Sequence, residues 1–206
     1  MIRGARWAAV ALAIGLLGGC GAGRPVKYFR LTVSPEAAQA GRTGKAEVFP
    51  VTLLVGSLTA SHLYRGDRIV YGNGHQQMGT YEYQRWADPP TDMVEELLLR
   101  SLRSSGRYRA VYYRRSNAQG DYEIHGRLQD FQELTGSRLS ARVTLELEMR
   151  DLKTGATVWT HDYTKDEPVD GKDVLAVVAA LDRNAQAGAS EMVASLEQYF
   201  ASRKDR

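Results

Sequence analysis

Cysteine is the scarcest reactive residue in this sequence, since the 206 residues contain only one, at position 20. A single cysteine excludes an intrachain disulfide and any zinc site built from several cysteine ligands. Histidine is almost as rare, and its four copies show no recognisable metal-ligand spacing to another ligand-type residue: His62, His75, His125 and His161. The sequence therefore predicts no metal site.

Recognisable catalytic motifs are also absent. No serine lies in the glycine-flanked pattern of a hydrolase nucleophile, and the acidic residues are spread along polar faces instead of being paired. We therefore expect a protein that is not an enzyme and needs no cofactor of its own. A catalytic site assembled from distant residues would leave no such trace, so an enzyme stays open as an alternative.

Most of the chain carries no excess of positive charge. The 27 basic residues include Arg3 and Arg6 near the N-terminus, and the other 25 are balanced by 24 acidic residues. No basic run longer than Arg114 and Arg115 occurs before the C-terminal tail at 203–206. This balance gives no indication of nucleic-acid binding, and we expect no nucleic-acid partner.

The first twenty residues have the organisation of a bacterial secretion signal. Arg3 and Arg6 precede an apolar run at residues 7–17, and small residues lead to Cys20. The run of 11 residues is shorter than the roughly 20 that a membrane-spanning helix needs. We predict a signal peptide at 1–19, a short spacer at 20–26 and a single domain at 27–206.

Alternating apolar and polar residues predict strands in the mature chain. The clearest alternation starts at Val143, with apolar side chains on one face and charged ones on the other. The predicted strands cover residues 28–33, 48–58, 68–71, 80–83, 108–113, 122–128, 143–149 and 157–163. Turn residues predict hairpins at 68–83 and 143–163, and we expect the second hairpin to lie at the middle of the sheet.

Two segments have the periodicity of helices. The first begins near Pro90, ends at Gly106 and carries acidic residues in its early turns that favour the helix dipole: Asp92, Glu95 and Glu96. The second begins at Asp173, and its small residues permit close approach to a sheet or to a neighbouring subunit: Ala185, Gly188 and Ala189. Together the patterns predict an α+β fold, a mostly antiparallel sheet with two main helices packed on one face.

The residues around Cys20 resemble the lipobox of bacterial lipoproteins, because Leu16 and Leu17 precede Gly18, Gly19 and the cysteine. This resemblance implies a diacylglycerol on the Cys20 sulfur, cleavage before Cys20 and a mature protein with three acyl chains, palmitate among them. Three chains give lasting membrane attachment, whereas one is marginal. Gly21 occupies the position where aspartate favours inner-membrane retention, so the resemblance implies the outer membrane, with the domain facing the periplasm. An ordinary signal peptide with an incidental thiol is the alternative.

Besides Cys20, three segments of the mature chain stand out: KYFRL at 27–31, YRGDRIVY at 64–71 and YEYQRWADPP at 81–90. In these residues the chain resembles the ABC-transport auxiliary lipoprotein family. This resemblance implies a non-enzymatic component of an envelope system in which an ABC permease and ATPase and a mammalian-cell-entry (MCE) domain protein move phospholipids or other hydrophobic molecules. The lipoprotein would dock this machinery at the outer membrane, and a homo-oligomeric ring is possible because some relatives form rings.

Three aromatic residues are candidates for the partner surface. Tyr81, Tyr83 and Trp86 lie where the first hairpin meets the first helix, so they either lock that junction or help to form the partner-binding surface. Two other functions stay open. One is an assembly or chaperone lipoprotein for an outer-membrane β-barrel machine, and the other is a tethered periplasmic enzyme.

Overall fold

The computed structural model describes residues 24–32, 48–74 and 76–204. The predictions for the signal peptide and for Cys20 concern residues outside these ranges. The strands are β1 (Lys27–Phe29), β2 (Phe49–Ala60), β3 (Arg68–Gly72), β4 (Met78–Trp86), β5 (Tyr108–Tyr113), β6 (Tyr122–Leu134), β7 (Ser140–Asp151) and β8 (Thr157–Pro168). The α-helices are α1 (Pro90–Ser105) and α2 (Val174–Lys204).

The long strand β6 organises the sheet. Along one edge it pairs with β7, which in turn pairs with β8. Along the other edge its first half pairs with β2 and its last residues pair with β3. The sheet therefore divides beside β6 into one branch that ends in β5 and another that passes through β3 and β4 to β1.

The α+β prediction agrees with this architecture, but the prediction of a mostly antiparallel sheet is wrong. Among the described strands, the pairs β1·β4, β2·β5, β2·β6 and β3·β6 are parallel, whereas β3·β4, β6·β7 and β7·β8 are antiparallel. Turn residues reveal hairpins between strands that are adjacent in sequence. Parallel pairs join strands that are far apart in sequence, so no local pattern marked them.

The position predicted for the second hairpin is also wrong. β7 and β8 do form a hairpin, with Leu145 opposite Tyr163. However, among the described strands β8 pairs only with β7, so this hairpin forms an edge, and β6 occupies the centre. The regular alternation arose from one covered and one polar face, a pattern that edge and central antiparallel strands share.

Helix α1 follows the local rules of its sequence. Pro90 occupies the first turn, where a missing N–H costs little, and Gly106 ends the helix with a left-handed φ of 64°. Its apolar side chains are buried against β2 and β5, and they include Met93, Val94, Leu97, Leu98 and Leu102. α1 thus closes the β2–β5 branch of the sheet.

Helix α2 covers β7 and β8 on the same side. The carboxylate of Asp173 caps its first turn by accepting a hydrogen bond from the Ala176 N–H at 2.9 Å. A Cβ added at Gly188 would come within 2.9 Å of the Tyr163 ring. The small residues of this helix therefore serve close packing on the sheet. Neither helix, within the described part of the chain, is long and apolar enough to cross a membrane.

Candidate functional site

The described chain begins at an edge of the sheet. Arg24 lies four positions after Cys20, and β1 pairs in parallel with β4, placing Tyr28 opposite Arg85. Beyond β1, the Phe29 carbonyl accepts a hydrogen bond from the Ala87 N–H at 2.7 Å. We call β1 and its neighbour β4 the anchor-side edge, because they lie closest in sequence to the predicted lipid anchor.

A side-chain clamp holds the end of this edge against α2. The Thr32 N–H donates to Asp182 Oδ1 at 3.0 Å, and the Thr32 hydroxyl donates to the other oxygen of the same carboxylate. Gln186 Nε2 donates to Asp182 Oδ1 at 3.0 Å and to the Thr32 carbonyl at 3.3 Å. Because β1 has only three residues in its ladder, this clamp contributes much of its attachment.

We expect Asp182→Ala to loosen β1 without unfolding the domain. The variant removes the acceptor of both hydrogen bonds from Thr32 and of one from Gln186. Because these groups are accessible to solvent, we expect a total loss of about 1.5 kcal/mol, equivalent to roughly tenfold more local opening. Limited trypsin digestion should then cut after Lys27 or Arg30 about tenfold faster. Asp162→Ala, an exposed carboxylate on β8, is the control and should leave the cleavage rate unchanged. Equal rates for the two variants would contradict a clamp.

Trp86 lies entirely in the core. Its exposed fraction is 0%, and its ring centroid is 5.4 Å from that of Phe131 on β6. Its backbone N–H donates to the Asp67 carbonyl at 2.6 Å. Trp86 therefore joins the β4–α1 junction to the centre of the sheet and presents no surface of its own to a partner.

Tyr81 lies in a more polar environment on the same strand. Its hydroxyl donates to the buried Glu133 carboxylate at 2.6 Å, and its ring meets Tyr71 edge-on at 5.1 Å. Burial, reinforced by that carboxylate, raises the pKa of the Tyr81 hydroxyl, so it stays protonated and remains a donor at neutral pH. Tyr71 is 37% exposed and extends this aromatic pair to the surface.

Tyr83 lies nearest to the N-terminal end of the described chain. The Arg24 guanidinium is 5.9 Å from its ring centroid, within cation–π range, and the adjacent Glu82 carboxylate raises the pKa of its hydroxyl. The three candidate aromatics therefore occupy three different environments. Whether Tyr81 and Tyr83 contact a partner stays a prediction.

A groove opens beside the anchor-side edge, between residues 30–32 and α1. Its volume is about 360 Å³, near the lower end of the range for small-molecule pockets. Charged groups of both signs surround an apolar floor, and the lining comprises Arg30, Leu31, Thr32, Asp88, Met93, Glu96, Leu97 and Arg100. A second groove of about 230 Å³ lies at the tip of the β3–β4 hairpin and includes Tyr71 and Met78. Both grooves are amphipathic and open to solvent.

Glu95 has a role that its sequence position did not reveal. The sequence indicated only an acid that favours the helix dipole, but the Glu95 side chain is 4% exposed and has specific partners. One carboxylate oxygen accepts the Leu58 N–H at 2.7 Å, and the other lies 3.1 Å from Arg115 Nη1. The register of β2 against β6 shifts between Val55 and Leu58, so the carboxylate replaces a ladder partner at this irregularity. The spacing of Glu95 from Leu98 and Leu102 places it within the apolar stripe, a signal that could have identified it.

Asn184 performs a similar function on α2. It is fully buried, its Nδ2 donates to the carbonyls of Ala141 and Lys165 at 2.8 Å each, and its Oδ1 accepts the Tyr163 hydroxyl at 2.6 Å. One side chain thus joins α2 to β7 and β8. A polar residue three positions after Leu181 and four before Gly188, inside an apolar stripe, was the sequence signal for this contact.

Two of the described histidines, His125 and His161, form separate pairs with carboxylates. His125 Nε2 lies 3.7 Å from Glu148, and His161 Nε2 lies 3.6 Å from Glu191 while its ring stacks on Trp159 at 5.6 Å. Over residues 24–32, 48–74 and 76–204, no group of three or more His, Cys, Asp or Glu side chains could hold a metal ion. The geometry there consists of ion pairs and hydrogen bonds that join structural elements.

Comparison with known families decides what kind of protein this is. The family model described as ABC-type transport auxiliary lipoprotein component matches residues 29–193. The chain belongs to this family. The match begins in β1 and continues into α2, so it includes the sheet and helix α1. This lipoprotein family is described as an auxiliary part of transport, which associates its members with ABC-type transporters.

Two solved structures share the fold. A protein from Xanthomonas campestris assigned to the family model DUF330 has a TM-score of 0.74 and 20% identity, with coverage of 87% of this chain and 99% of that one. An uncharacterised protein has a TM-score of 0.65 and 12% identity, with coverage of 84% and 99%. A search of curated proteins found no significant match. These similarities establish the fold of this auxiliary lipoprotein.

Proposed function

We propose that this protein is a non-enzymatic lipoprotein that docks the periplasmic part of an ABC and MCE-type transport system at the outer membrane. The observation that carries the proposal is the family match over residues 29–193, which begins nine positions after Cys20, the last of the lipobox-like residues. The system would move phospholipids or other hydrophobic molecules, as the sequence resemblance implies. The acyl chains on Cys20 would be the only lipid that the protein holds covalently.

The position of β1 supports a role as a tethered adaptor. Arg24 lies four positions after Cys20, and an extended chain spans at most about 3.5 Å per residue, so Arg24 lies within about 14 Å of the anchor. β1 is part of the sheet and is clamped to α2, so the anchor also restricts the folded domain. Confinement to a thin layer raises the effective concentration of the domain for a partner that ends at the same membrane, and modest contacts then suffice.

The described surface suits a protein partner. Tyr71, Tyr81 and Tyr83 line the β3–β4 side of the sheet; Tyr71 is exposed and the other two are half-buried. Tyrosines contribute large contact areas at low entropic cost. We propose this surface as the contact for the periplasmic MCE protein, with the permease and ATPase joined through it. A ring of identical subunits would present several copies of the surface to one conduit.

Affinity purification of the tagged, acylated protein tests the proposal. We expect the MCE protein and the ABC subunits to co-purify, and a Cys20→Ser variant to lose membrane attachment and at least about tenfold of the co-purified partner, because the effective concentration falls. Tyr83→Ala should weaken co-purification further than Tyr112→Ala, an exposed tyrosine on the distant strand β5.

Each contrary outcome points to a defined alternative. Co-purification with an outer-membrane β-barrel protein would favour the assembly function and contradict transport docking. An unmodified thiol on Cys20, detected by mass spectrometry of the mature N-terminus, would contradict the anchor. Hydrolytic or transfer activity in the purified protein would contradict the non-enzymatic role.

A further inference from the structure

We propose that the exposed side of β1 lies in the headgroup layer of the membrane and binds anionic phospholipids there, so that the anchor fixes the orientation of the domain as well as its distance. This inference rests on the acylation of Cys20 proposed above. The surface, which we call the β1 membrane face, consists of Arg24, Val26, Tyr28 and Arg30. Its two charged side chains are basic, and the third charged residue on this stretch, Lys27, is basic as well.

The exposed apolar side chains in and just before β1 point to the same side of the strand. Val26 is 40% exposed and Tyr28 is 64% exposed, whereas Phe29 packs against the core. Residues two positions apart project from the same side of a strand, so Val26 and Tyr28 point together away from the core. A tyrosine and a small apolar residue, flanked by cations, are the side chains that favour the boundary between headgroups and acyl chains.

The chain between Cys20 and β1 is so short that β1 must lie close to the membrane. Arg24 lies at most about 14 Å from an acylated Cys20, a limit of roughly twice the 5–8 Å thickness of one headgroup layer. Positive charge attracts anionic headgroups within a Debye length of the surface, about 8–10 Å at ordinary ionic strength. Arg24, Lys27 and Arg30 are all exposed and lie on this short segment, so they complement an anionic lipid surface.

The backbone of β1 limits how deep the face can enter. Among the described strands, β1 pairs only with β4, so its outer edge carries backbone groups without a ladder partner. Such groups are too costly in the hydrocarbon core but are hydrated among headgroups. The face therefore lies at the interface, and the tyrosine-bearing hairpin of β3 and β4 is held next to the membrane at a defined angle.

Fluorescence quenching by brominated phospholipids tests this orientation. The mature acylated protein is reconstituted into vesicles of brominated phosphatidylcholine with phosphatidylglycerol, and a tryptophan is introduced by Tyr28→Trp. Trp86 and Trp159 are buried and supply a constant background. The matched control is Tyr112→Trp, because Tyr112 is 42% exposed on β5, at the opposite end of the sheet. We expect the reporter at position 28 to lose most of its added fluorescence and the reporter at 112 to lose none.

A second set of measurements varies the lipid composition and the charge of the protein. Omitting phosphatidylglycerol, raising the salt concentration or adding Arg24→Gln and Arg30→Gln should each reduce quenching at position 28. If no brominated lipid quenches the reporter at position 28 in acylated protein, this inference is overturned while the proposed function stands. Equal quenching at positions 28 and 112 would have the same consequence. Fluorescence at position 28 that changes with protein concentration in detergent would assign the face to a second copy of the chain. An unacylated Cys20 would overturn both the anchoring and the inference.

Discussion

Trp86→Ala is expected to lower the free energy of unfolding by about 3–5 kcal/mol, the usual cost of truncating a fully buried tryptophan. The indole fills the space between the β4–α1 junction and Phe131, and alanine would leave a cavity there. For a domain of this length, each kcal/mol shifts the melting temperature by about 2–4 °C, so calorimetry should record a fall of roughly 6–20 °C. Loss of partner binding in this variant would follow from loss of the fold.

Two variants make this expectation specific. Trp86→Phe should cost much less, about 1 kcal/mol, because the ring volume is largely kept and the indole Nε1 has no hydrogen-bond partner among the described residues. Tyr83→Ala, on the same strand but at the surface, should change stability by less than about 0.5 kcal/mol. A Trp86→Ala protein that kept its melting temperature but lost the MCE partner would contradict a core role and restore the partner-surface hypothesis.

Glu95→Ala is expected to cost about 2–3 kcal/mol, most of it from a buried N–H left without an acceptor. The carboxylate accepts the Leu58 N–H at 2.7 Å at the register shift of β2, and Arg115 would lose its partner as well. Chemical denaturation should show a lower midpoint with an unchanged slope, because the same surface is exposed on unfolding.

The neighbouring acid supplies the control for Glu95. Glu96 pairs with Arg100 one turn along the exposed side of α1, and such a pair contributes only about 0.3–0.5 kcal/mol. Glu96→Ala should therefore have a small effect. Glu95→Gln keeps an acceptor oxygen for Leu58 and should retain most of the stability. Equal losses for Glu95→Ala and Glu96→Ala would show that the buried contact is energetically unimportant.

The two helices show how far residue patterns predict this structure. Pro90, Gly106 and Asp173 act through their own backbone or through groups within one helical turn, so the sequence predicted where these helices begin or end. Glu95 and Asn184 are different because each binds a backbone group far away along the chain, the Leu58 N–H at 37 positions and the Ala141 carbonyl at 43. Spacing places both in apolar stripes, but it does not show which backbone groups would need a partner there.

For the candidate aromatics, the sequence likewise predicted one property, their location, but not another, their burial. Their location on the strand before α1 was visible in the sequence, since Tyr81 to Trp86 precede the two prolines. Whether each side chain points into the core depends on the sheet. The pairing of β4 with β3 is irregular between Arg68 and Val70, so simple alternation along β4 does not predict which side chains are buried.

By itself, the sequence determined the signals that are read locally. These are the lipobox-like residues before Cys20, the hairpins, the helix limits and the segments that resemble the auxiliary lipoprotein family. Only the tertiary structure decided that most strand pairs are parallel, that β6 is central, that Trp86 is buried and that β1 forms an exposed edge clamped to α2. The reason is physical. Turns and caps depend on neighbours in sequence, whereas parallel pairing and burial depend on contacts between distant segments that local patterns do not encode.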